Sequence, residues 1–408
     1  MRVAIIGGGA AGMMAALTAA EEAERDVVLL ERQSRVGRKL LATGNGRCNL
    51  SNIRAGVSHY HGSEPDFVSY ALQAFDVAAT LEFFRGISLL TVTEPSGRVY
   101  PYSDQANSVV DALRFALQRK NITLRTGCEV RAVSRTGGGF TIKTDDEILQ
   151  ADRLIVAAGG LAGTKLGGSL SGYTLLRALG HHCTPLRPSL VQLKTGDPYV
   201  ARLKGVRANA RVKLTKEQTL LAVSEGEVQF TEYGLSGPAV YEISRAASTA
   251  PDGCEITLDL LPGMGGDELL SLLCIRISQQ PELTCGDLLT GLVHNRLGRV
   301  VVQSVDIPLT LPISQLKWDK LSAVAEALHA FSLPLTGTMG MDSAQVTAGG
   351  ICTREFYSTT LESRIVPGLY AAGEVLDIDG DCGGYNLQWA WSSGRLAGQL
   401  RSEHAENP

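Results

Sequence analysis

The sequence lacks the cysteine and histidine spacings that mark metal sites and disulfide scaffolds. Its eight cysteines are scattered along 408 residues, without a C-x-x-C pair or a paired Cys/His spacing of the zinc type. It also lacks an apolar run as long as a membrane span, and its first apolar run begins at Val3, which leaves no room for a signal peptide. We therefore expect a cytoplasmic protein without a metal site and without a membrane partner.

Excess positive charge is missing as well. The chain carries 38 Lys and Arg residues against 42 Asp and Glu residues, for a net charge of −4. A nucleic-acid partner would need a local basic patch, and the sequence contains none of convincing size. We expect a small-molecule substrate and no nucleic-acid partner, while the oligomeric state stays open.

Glycine, in contrast, is abundant, and many of its 45 residues follow short apolar runs. Residues 3–6 predict a buried strand and residues 13–22 predict a helix. Between them, Gly7, Gly9 and Gly12 have the G-x-G-x-x-G spacing of a dinucleotide fingerprint. We expect Gly7 to permit the turn, Gly9 to let a pyrophosphate approach the backbone, and Gly12 to bring helix and strand together. The alternative is a glycine turn that arose by chance. The order of strand, turn and helix argues against it.

A second predicted strand, at residues 26–31, ends in Glu31. This residue follows Gly12 by about 20 positions, where an acid can accept hydrogen bonds from ribose hydroxyls. The polar loop after it contains Arg38 and Lys39, which could meet phosphate charge, and a tight turn at Gly44-Asn45-Gly46 that presents Arg47 as a donor. An ordinary solvated loop is the alternative.

Two later apolar runs also end in glycine. Residues 153–158 precede Gly159-Gly160, and residues 369–372 precede Gly373-Glu374, so backbone can lie against a ligand at both places. A further helix is predicted from Asn386, directly after Gly383-Gly384. We expect this glycine pair to leave room for a ligand ring, and the helix dipole to favour negative charge there.

These elements predict an α/β fold with an insertion. Helices are predicted at residues 65–84, 104–120, 267–278, 285–297 and 314–331, and short β-patterned segments between residues 189 and 260 predict an antiparallel β domain. The predicted domains are a first ligand-binding segment at residues 1–190, an inserted β domain at 191–260, a helical subdomain at 261–331, a return strand of the β domain at 332–342 and a second ligand-binding segment at 343–408.

Five stretches carry a family resemblance across nearly the whole chain. They are VAIIGGGAAGMMAA, GRKLLATGNGRCNLSN, FTEYGLSGPAV, VTAGGI and GLYAAGEVLDIDGDCGGYNLQWAWSSG. In this order they resemble the FAD-binding oxidoreductases of the aminoacetone-oxidase-like (BaiN-like) family and, more distantly, the fumarate reductase flavoproteins. The resemblance implies a discontinuous Rossmann-like FAD-binding domain with an inserted, partly open β-barrel and a small helical domain.

The resemblance also implies cofactor contacts. The ADP half and ribityl chain of FAD would be bound by Ala11, Gly12, Glu31, Arg38, Lys39, Asn45 and Val130. The ribityl and isoalloxazine end would be held by Gly373, Glu374, Asn386 and Leu387. To this cofactor-binding set we add Gly7, Gly9, Arg32, Gly46 and Gly159. One departure is Glu232, which stands where relatives often carry histidine. If that histidine binds substrate in the relatives, the substrate here differs; if it only packs the barrel, the departure has no consequence for the substrate.

The function that follows is an FAD-dependent oxidoreductase transferring hydride between flavin and a small organic substrate. We expect NAD(P)H-linked reduction of an activated double bond. The chain has one dinucleotide fingerprint, so NAD(P)H would bind transiently. The alternatives are an oxygen-dependent amine oxidase of the aminoacetone oxidase type and, from other classes, a non-catalytic or RNA-modifying FAD-binding protein.

The catalytic candidates are Arg47 and Tyr385. Arg47 could stabilise an anionic reduced flavin or substrate, and Tyr385 could donate a proton; an ordinary loop role and a packing role are the respective alternatives. The seven histidines lie outside the flavin motifs, and no histidine-based catalytic pattern is visible in the sequence.

Overall fold

The computed structural model describes residues 1–120, 122–249 and 252–403. The chain forms two compact units. Unit 1 consists of Met1–Arg187 and Gln345–Pro408, and unit 2 consists of Pro188–Ala344. Unit 1 is therefore discontinuous in sequence.

The first segment of unit 1 contains alternating strands and helices. Its strands are β1 Arg2–Ile6, β2 Asp26–Glu31, β3 Ser51–Asn52, β4 Tyr60–His61, β5 Thr91–Thr93, β6 Arg98–Pro101, β7 Thr123–Thr126, β8 Val130–Thr136, β9 Gly139–Thr144, β10 Ile148–Ala151 and β11 Arg153–Val156. Its helices are α1 Ala10–Ala19, α2 Ser69–Ala74, α3 Val77–Gly86, α4 Ala106–Arg119 and α5 Ser171–Ala178.

The remaining elements follow in chain order. The next strands are β12 Arg187–Ser189, β13 Leu193–Thr195, β14 Arg207–Lys216, β15 Thr219–Phe230, β16 Gly234–Ser236, β17 Cys254–Asp259 and β18 Phe331–Thr338, with helices α6 Pro198–Arg202, α7 Pro238–Thr249, α8 Gly266–Gln279, α9 Asn295–Ser304 and α10 Trp318–His329. The last segment contains β19 Val346–Ala348, β20 Leu369–Ala371, β21 Asp379–Gly380 and α11 Tyr385–Gly398.

A five-stranded parallel sheet in the order β20-β11-β1-β2-β7 forms the core of unit 1. Val3, Ala4 and Ile5 of β1 are fully buried, as a strand covered on both faces requires. The chain order reverses between β1 and β11, which is the topological switch point where doubly wound sheets bind ligands at the carboxyl ends of their strands. The predicted α/β, Rossmann-like fold is confirmed.

Helices α1 and α11 pack against each other through small residues. A side-chain carbon added at Gly398 would come within 2.6 Å of Ala15 O, and one added at Gly394 would meet the backbone of Ala11. The close approach explains why glycine stands at these helical positions despite its low helix propensity. It also fixes the start of α1 beside α11.

The helix predicted at residues 65–84 is interrupted. Phe75 leaves the helical conformation, with φ −143° and ψ 79°. Asp76 then caps α3, because its Oδ1 accepts the Ala79 N–H at 2.8 Å. The apolar residues that predicted one long helix therefore belong to two short helices, α2 and α3.

Unit 2 is built on a closed six-stranded barrel in the order β13-β16-β15-β14-β17-β18. Strand β18 pairs with β17 and also with β13, which closes the barrel. The expectation of a partly open barrel is wrong. Val212, Leu214 and Ile256 are fully buried in its interior.

The helices of unit 2 differ from the predictions at three places. Residues 285–297 form a short 3₁₀ turn at Cys285–Asp287, and α9 begins only at Asn295, after Gly291 has taken a φ of +85°. Helices α6 and α7 were not predicted, because both lie among short segments with a strand-like pattern. Among the described residues, no helix is long and apolar enough to cross a membrane.

Candidate functional site

The phosphate-binding turn lies between β1 and α1. Gly7 has a φ of +106°, which only glycine adopts easily, and a side chain there would overlap the backbone of Ala157. The first intrahelical hydrogen bond of α1 runs from Met13 N to Gly9 O at 2.9 Å. The preceding N–H groups, including that of Ala11, are thus at the helix terminus, where backbone donors and the dipole bind anions.

Gly9 and Gly12 have opposite surroundings. A side-chain carbon at Gly9 would meet no protein atom within 4 Å, whereas one at Gly12 would overlap the carbonyl of Gly7. Gly12 is therefore required for the contact between turn and helix. Open space remains beside Gly9.

Glu31 ends β2 and holds this turn. Its Oε2 accepts the Gly8 N–H at 2.6 Å, and its Oε1 accepts the Gln33 N–H at 2.7 Å. The segment after β7 is hydrogen-bonded to the end of β2, because Cys128 N donates to Glu31 O at 3.0 Å. Val130, two residues further on, starts β8 and is buried.

The basic residues of the next loop differ in their contacts. Arg32 Nη2 donates to Gly167 O at 2.7 Å, and Arg38 Nη1 donates to Gln33 Oε1 at 2.6 Å on the exposed side. Lys39 is directed inward and pairs with Glu374, with Nζ 2.8 Å from Oε2. Lys39 and Glu374 were both predicted to contact the cofactor, and the structure brings them together.

Glu374 lies beside the glycines that follow β11. Its Oε1 accepts the Thr347 N–H at 3.0 Å, and a side chain at Gly160 would overlap both Glu374 and Thr347. At Gly159, which has a φ of +73°, an added carbon would meet no atom within 4 Å. Gly373, in turn, contacts α1, because an added carbon would lie 2.9 Å from Ala11 Cβ.

The turn before Arg47 has left-handed backbone at Gly44, Asn45 and Gly46, with φ of +57°, +57° and +86°. Asn45 and Gly46 are exposed, and an added carbon at Gly46 would meet no atom within 4 Å. The side chain of Arg47, which follows this turn, contacts a separate group of residues.

Arg47 is surrounded by acids. Its Nη2 lies 2.9 Å from Glu94 Oε1, its Nε bonds Asp104, and its guanidinium stacks over Tyr100 at 3.9 Å from the ring centre. Two carboxylates therefore balance its charge already. The assignment of Arg47 as a catalytic residue stays a prediction.

The first turn of α11 supplies another set of backbone donors. Its first intrahelical hydrogen bond runs from Gln388 N to Gly384 O at 3.0 Å, so the N–H groups of Asn386 and Leu387 precede it. The Asn386 side chain bonds both backbone groups of Gly380, at 2.8 and 2.7 Å. It thus shapes the turn in front of the helix.

The expectation about the Gly383-Gly384 pair is wrong for Gly384. A side chain there would overlap the backbone of Ser51, and the residue has a φ of +101°. The space is filled by protein, so Gly384 serves the tight turn. Beside it, Asn49 Oδ1 is buried and has no hydrogen-bond partner among the described residues.

A histidine cluster next to α11 was not visible in the sequence. His59 and His61 both contact the carboxylate of Asp381, at 2.9 and 2.7 Å. The ring of Tyr385, the first residue of α11, stacks on His59 with centroids 4.2 Å apart and planes 17° apart. Over 300 residues of sequence separate the histidines from Asp381, and no local motif marks them.

Glu232, the departure noted in the sequence, belongs to unit 2. Its carboxylate pairs with Lys204 at 2.6 Å, and both side chains are mostly exposed. The hydrogen bond and the charge of Lys204 lower the pKa of Glu232. It therefore lies on the barrel surface in a solvated ion pair.

The residues present in unit 1 fit FAD. Terminal N–H groups of α1 face open space beside Gly9, an acid ends β2, and a second open space lies beside Gly159. All of these are at the carboxyl edge of one parallel sheet. Such a cradle suits a pyrophosphate and ribose, while the orphaned Asn49 Oδ1 beside α11 suits a hydrogen-bond donor of a bound molecule.

Comparisons with known proteins identify the family of the chain. Residues 1–400 match the HI0933-like protein Rossmann domain family. The chain is 41% identical over 406 residues to the 3-dehydro-bile acid delta(4,6)-reductase of Clostridium scindens, covering 98% of this chain and 99% of the relative. It is 33% identical over 389 residues to the ribosomal RNA dihydrouridine synthase of Escherichia coli, covering 95% of each.

A solved structure supports the fold. The 3-ketosteroid delta1-dehydrogenase from Sterolibacterium denitrificans has a TM-score of 0.50, with 13% identity and coverage of 97% of this chain and 98% of that one. At this identity the likeness concerns the fold alone. The chain belongs to the HI0933-like Rossmann family and is an FAD-dependent oxidoreductase.

Proposed function

We propose that this protein reduces a carbon–carbon double bond conjugated to a carbonyl group, at the expense of NAD(P)H. The observation that carries the proposal is the pair of relatives at 41% and 33% identity, whose names both describe addition of hydrogen to such a bond. In uridine and in a 3-oxo-4,6-diene steroid alike, the double bond is activated by a carbonyl. The two relatives therefore share a reaction type, the reduction of a carbon–carbon double bond next to a carbonyl group, although their substrates differ.

The residues of unit 1 have roles that suit this reaction. The N–H groups at the start of α1 would bind the pyrophosphate, and Glu31, which holds Gly8, would orient the ribose. The N–H groups of Asn386 and Leu387 at the N-terminus of α11 would stabilise negative charge that develops on a ring bound there. When bound, FAD supplies hydride transfer between a donor and the substrate.

We further propose that the donor NAD(P)H binds transiently. Among the described residues, the strand, glycine turn and helix of a dinucleotide fingerprint occur together at β1 and α1. A cytoplasmic location suits the eight cysteines, which are thiols. The substrate is proposed to be a small molecule, in line with the net charge of −4.

The test is anaerobic stopped-flow spectroscopy of the yellow protein, after denaturation of a sample has shown that FAD and not FMN is released. NADH or NADPH should bleach the flavin, and a conjugated enone should then restore its colour faster than oxygen does. Bleaching by a small amine and reoxidation by oxygen would instead establish an amine oxidase. Absence of bound flavin would contradict both.

A second candidate is reduction of uridine in ribosomal RNA, which the 33% identity to a dihydrouridine synthase favours. It predicts that protein-free ribosomal RNA reoxidises the reduced flavin while a steroid enone does not. Mass spectrometry of the RNA for a gain of two hydrogens per modified uridine distinguishes the two candidates.

A further inference from the structure

Asp381 binds two histidines through one carboxylate. Its Oδ2 lies 2.9 Å from His59 Nδ1, and its Oδ1 lies 2.7 Å from His61 Nε2. The backbone holds the same residues together, because β21 pairs antiparallel with β4 and Asp381 N donates to His59 O at 3.0 Å. The cluster is therefore fixed by main-chain and side-chain bonds.

The orientation of His59 leaves its other ring nitrogen available. Because an ionised Asp381 accepts at Nδ1, that nitrogen carries a proton, and Nε2 is an acceptor in the neutral ring and a donor in the charged ring. Among the described residues, no hydrogen-bond partner contacts His59 Nε2, and 31% of the side chain is exposed. A bound molecule can thus reach it.

His59 lies beside the N-terminus of α11, which the proposed function assigns to the flavin ring. Its ring lies flat on Tyr385, the first residue of α11, at 4.2 Å between centroids. Tyr60, between the two histidines, donates its hydroxyl to Tyr385 O at 2.9 Å. The helix terminus that favours negative charge and the exposed imidazole are therefore neighbours.

Titratable and charged groups lie around His59. Asp381 contacts His59, Tyr385 stacks on its ring and Tyr60 follows it in the chain, while His61 shares the carboxylate of Asp381. One step further out, Asp379 pairs with His61, and Arg98 lies near Gly383 and Tyr385. Burial alone would raise the pKa of Asp381, but the hydrogen bonds from His61 and His59 lower it, so this carboxylate stays ionised at neutral pH. Burial raises the pKa of Tyr60, which stays neutral.

We propose that His59 is the proton donor for substrate reduction and that Asp381 and His61 position it. The inference rests on the proposed function, the reduction of a conjugated double bond. When bound, FAD would supply the hydride taken from NAD(P)H to the β-carbon of the substrate, and the π electrons would move onto the carbonyl oxygen. The Nε2–H bond of His59 then breaks, its proton forms the C–H bond at the α-carbon, and a proton from water restores the imidazolium.

The alternative is a structural clamp that only ties β4 to β21. A clamp predicts that removing either histidine lowers stability and FAD content alike, with no change in how proton transfer depends on pH. The proposal instead separates the half-reactions, because flavin reduction by NAD(P)H needs no proton from His59.

The experiment compares the holoenzyme with the variants H59Q, H59N and D381N. The matched control is H182Q, because His182 contacts Glu355 at 2.6 Å but is 81% exposed and outside the cluster. FAD content and melting temperature are measured first. For H59Q we expect bleaching by NAD(P)H within about twofold of wild type and reoxidation by an enone slowed by about 100-fold or more, since general acids contribute that much. The pH dependence of the second rate should disappear.

A second readout requires no turnover. Diethyl pyrocarbonate followed by peptide mapping should modify His59 in the oxidised holoenzyme, and a saturating enone should protect it by about fivefold or more, while His182 stays unprotected. Reoxidation of H59Q at the wild-type rate, or no protection of His59, would overturn the inference. If the wild-type reduced flavin is not reoxidised by any enone, the proposed function itself fails; if H59Q does not fold, H59N and D381N decide by the same ratio of half-reactions.

Discussion

Lys39 Nζ lies 2.8 Å from Glu374 Oε2 and thereby joins the loop after β2 to the turn after β20. The two side chains are 31% and 20% exposed, so the pair is only partly screened by water. We expect K39M to weaken FAD binding by about 1 kcal/mol, roughly fivefold, because Glu374 would keep an unbalanced negative charge beside the cofactor. Titration of the apoprotein with FAD measures this.

The control for K39M is K204M, which removes the lysine of a more exposed pair with Glu232 in unit 2. It should leave FAD affinity unchanged. Equal affinities of K39M and wild type would mean that Lys39 and Glu374 do not border the cofactor.

Gly9 and Gly12 allow cofactor binding and folding to be separated. G12A places a methyl group against the Gly7 carbonyl and should destabilise the apoprotein by about 2–4 kcal/mol. G9A places the methyl group in open space, with extended backbone that alanine adopts, and should leave the apoprotein stable while weakening FAD binding at least tenfold. Urea unfolding and FAD titration give both quantities. Tight FAD binding by G9A would refute the placement of the pyrophosphate.

Glu31 has a double role that changes the expectation for its removal. E31A should weaken FAD binding by about 1–3 kcal/mol through loss of the ribose acceptor. It should also lower apoprotein stability, because the Gly8 and Gln33 N–H groups lose their acceptor. D26N, at the exposed start of the same strand, is the control. Unchanged FAD affinity of E31A would show that the acid does not face the ribose.

The parts of the fold that follow from local sequence were predictable. The runs that became β1, β2, β11 and β20 are short, apolar and followed by glycine or an acid, and each formed a buried parallel strand. The glycine turn of β1 has the conformation that its spacing required. Strand pairing across the barrel was less accessible, because closure depends on β18 pairing with β13, far away in sequence.

The candidate site shows the same limit. Glu31, Lys39 and Glu374 could be named as candidates because Glu31 ends a recognisable strand and the other two lie in segments that follow one. The contacts of Asp381 with His59 and His61 join positions 322 and 320 residues apart, so no periodicity or spacing could indicate them. For Arg47, the sequence showed the loop motif that contains it but gave no sign of its partners Glu94 and Asp104.

Gly384 requires a revised expectation. The sequence predicts that the glycine pair leaves room for a ligand ring, but the structure packs Gly384 against Ser51 with a left-handed φ. G384A should therefore cost about 3 kcal/mol or more of folding stability and leave the potential of any folded protein unchanged. G46A, at an exposed left-handed glycine, should cost only about 1 kcal/mol. A shifted potential in stable G384A would restore the first interpretation.

His181 predicts how stability depends on pH. Its side chain is fully buried, with Nδ1 3.0 Å from Glu355 Oε2 and Nε2 3.1 Å from Ser363 Oγ. Burial lowers the pKa of His181 below the ordinary value of 6.5, although Glu355 opposes the shift. Below pH 6.5 the unfolded chain therefore binds a proton more readily than the folded protein does.

This difference gives the sign of the effect. The contribution of His181 to stability is complete above pH 6.5 and is lost as the pH falls toward its lower folded pKa. We expect the free energy of unfolding to fall between pH 6.5 and 5, and H181Q to be less stable at pH 7.5 but to have a flatter curve in that window. H182Q, which alters the exposed neighbour on the same carboxylate, should keep the wild-type slope. Urea unfolding at half-unit pH steps measures the slopes, and an H181Q curve as steep as that of wild type would assign the dependence to another group.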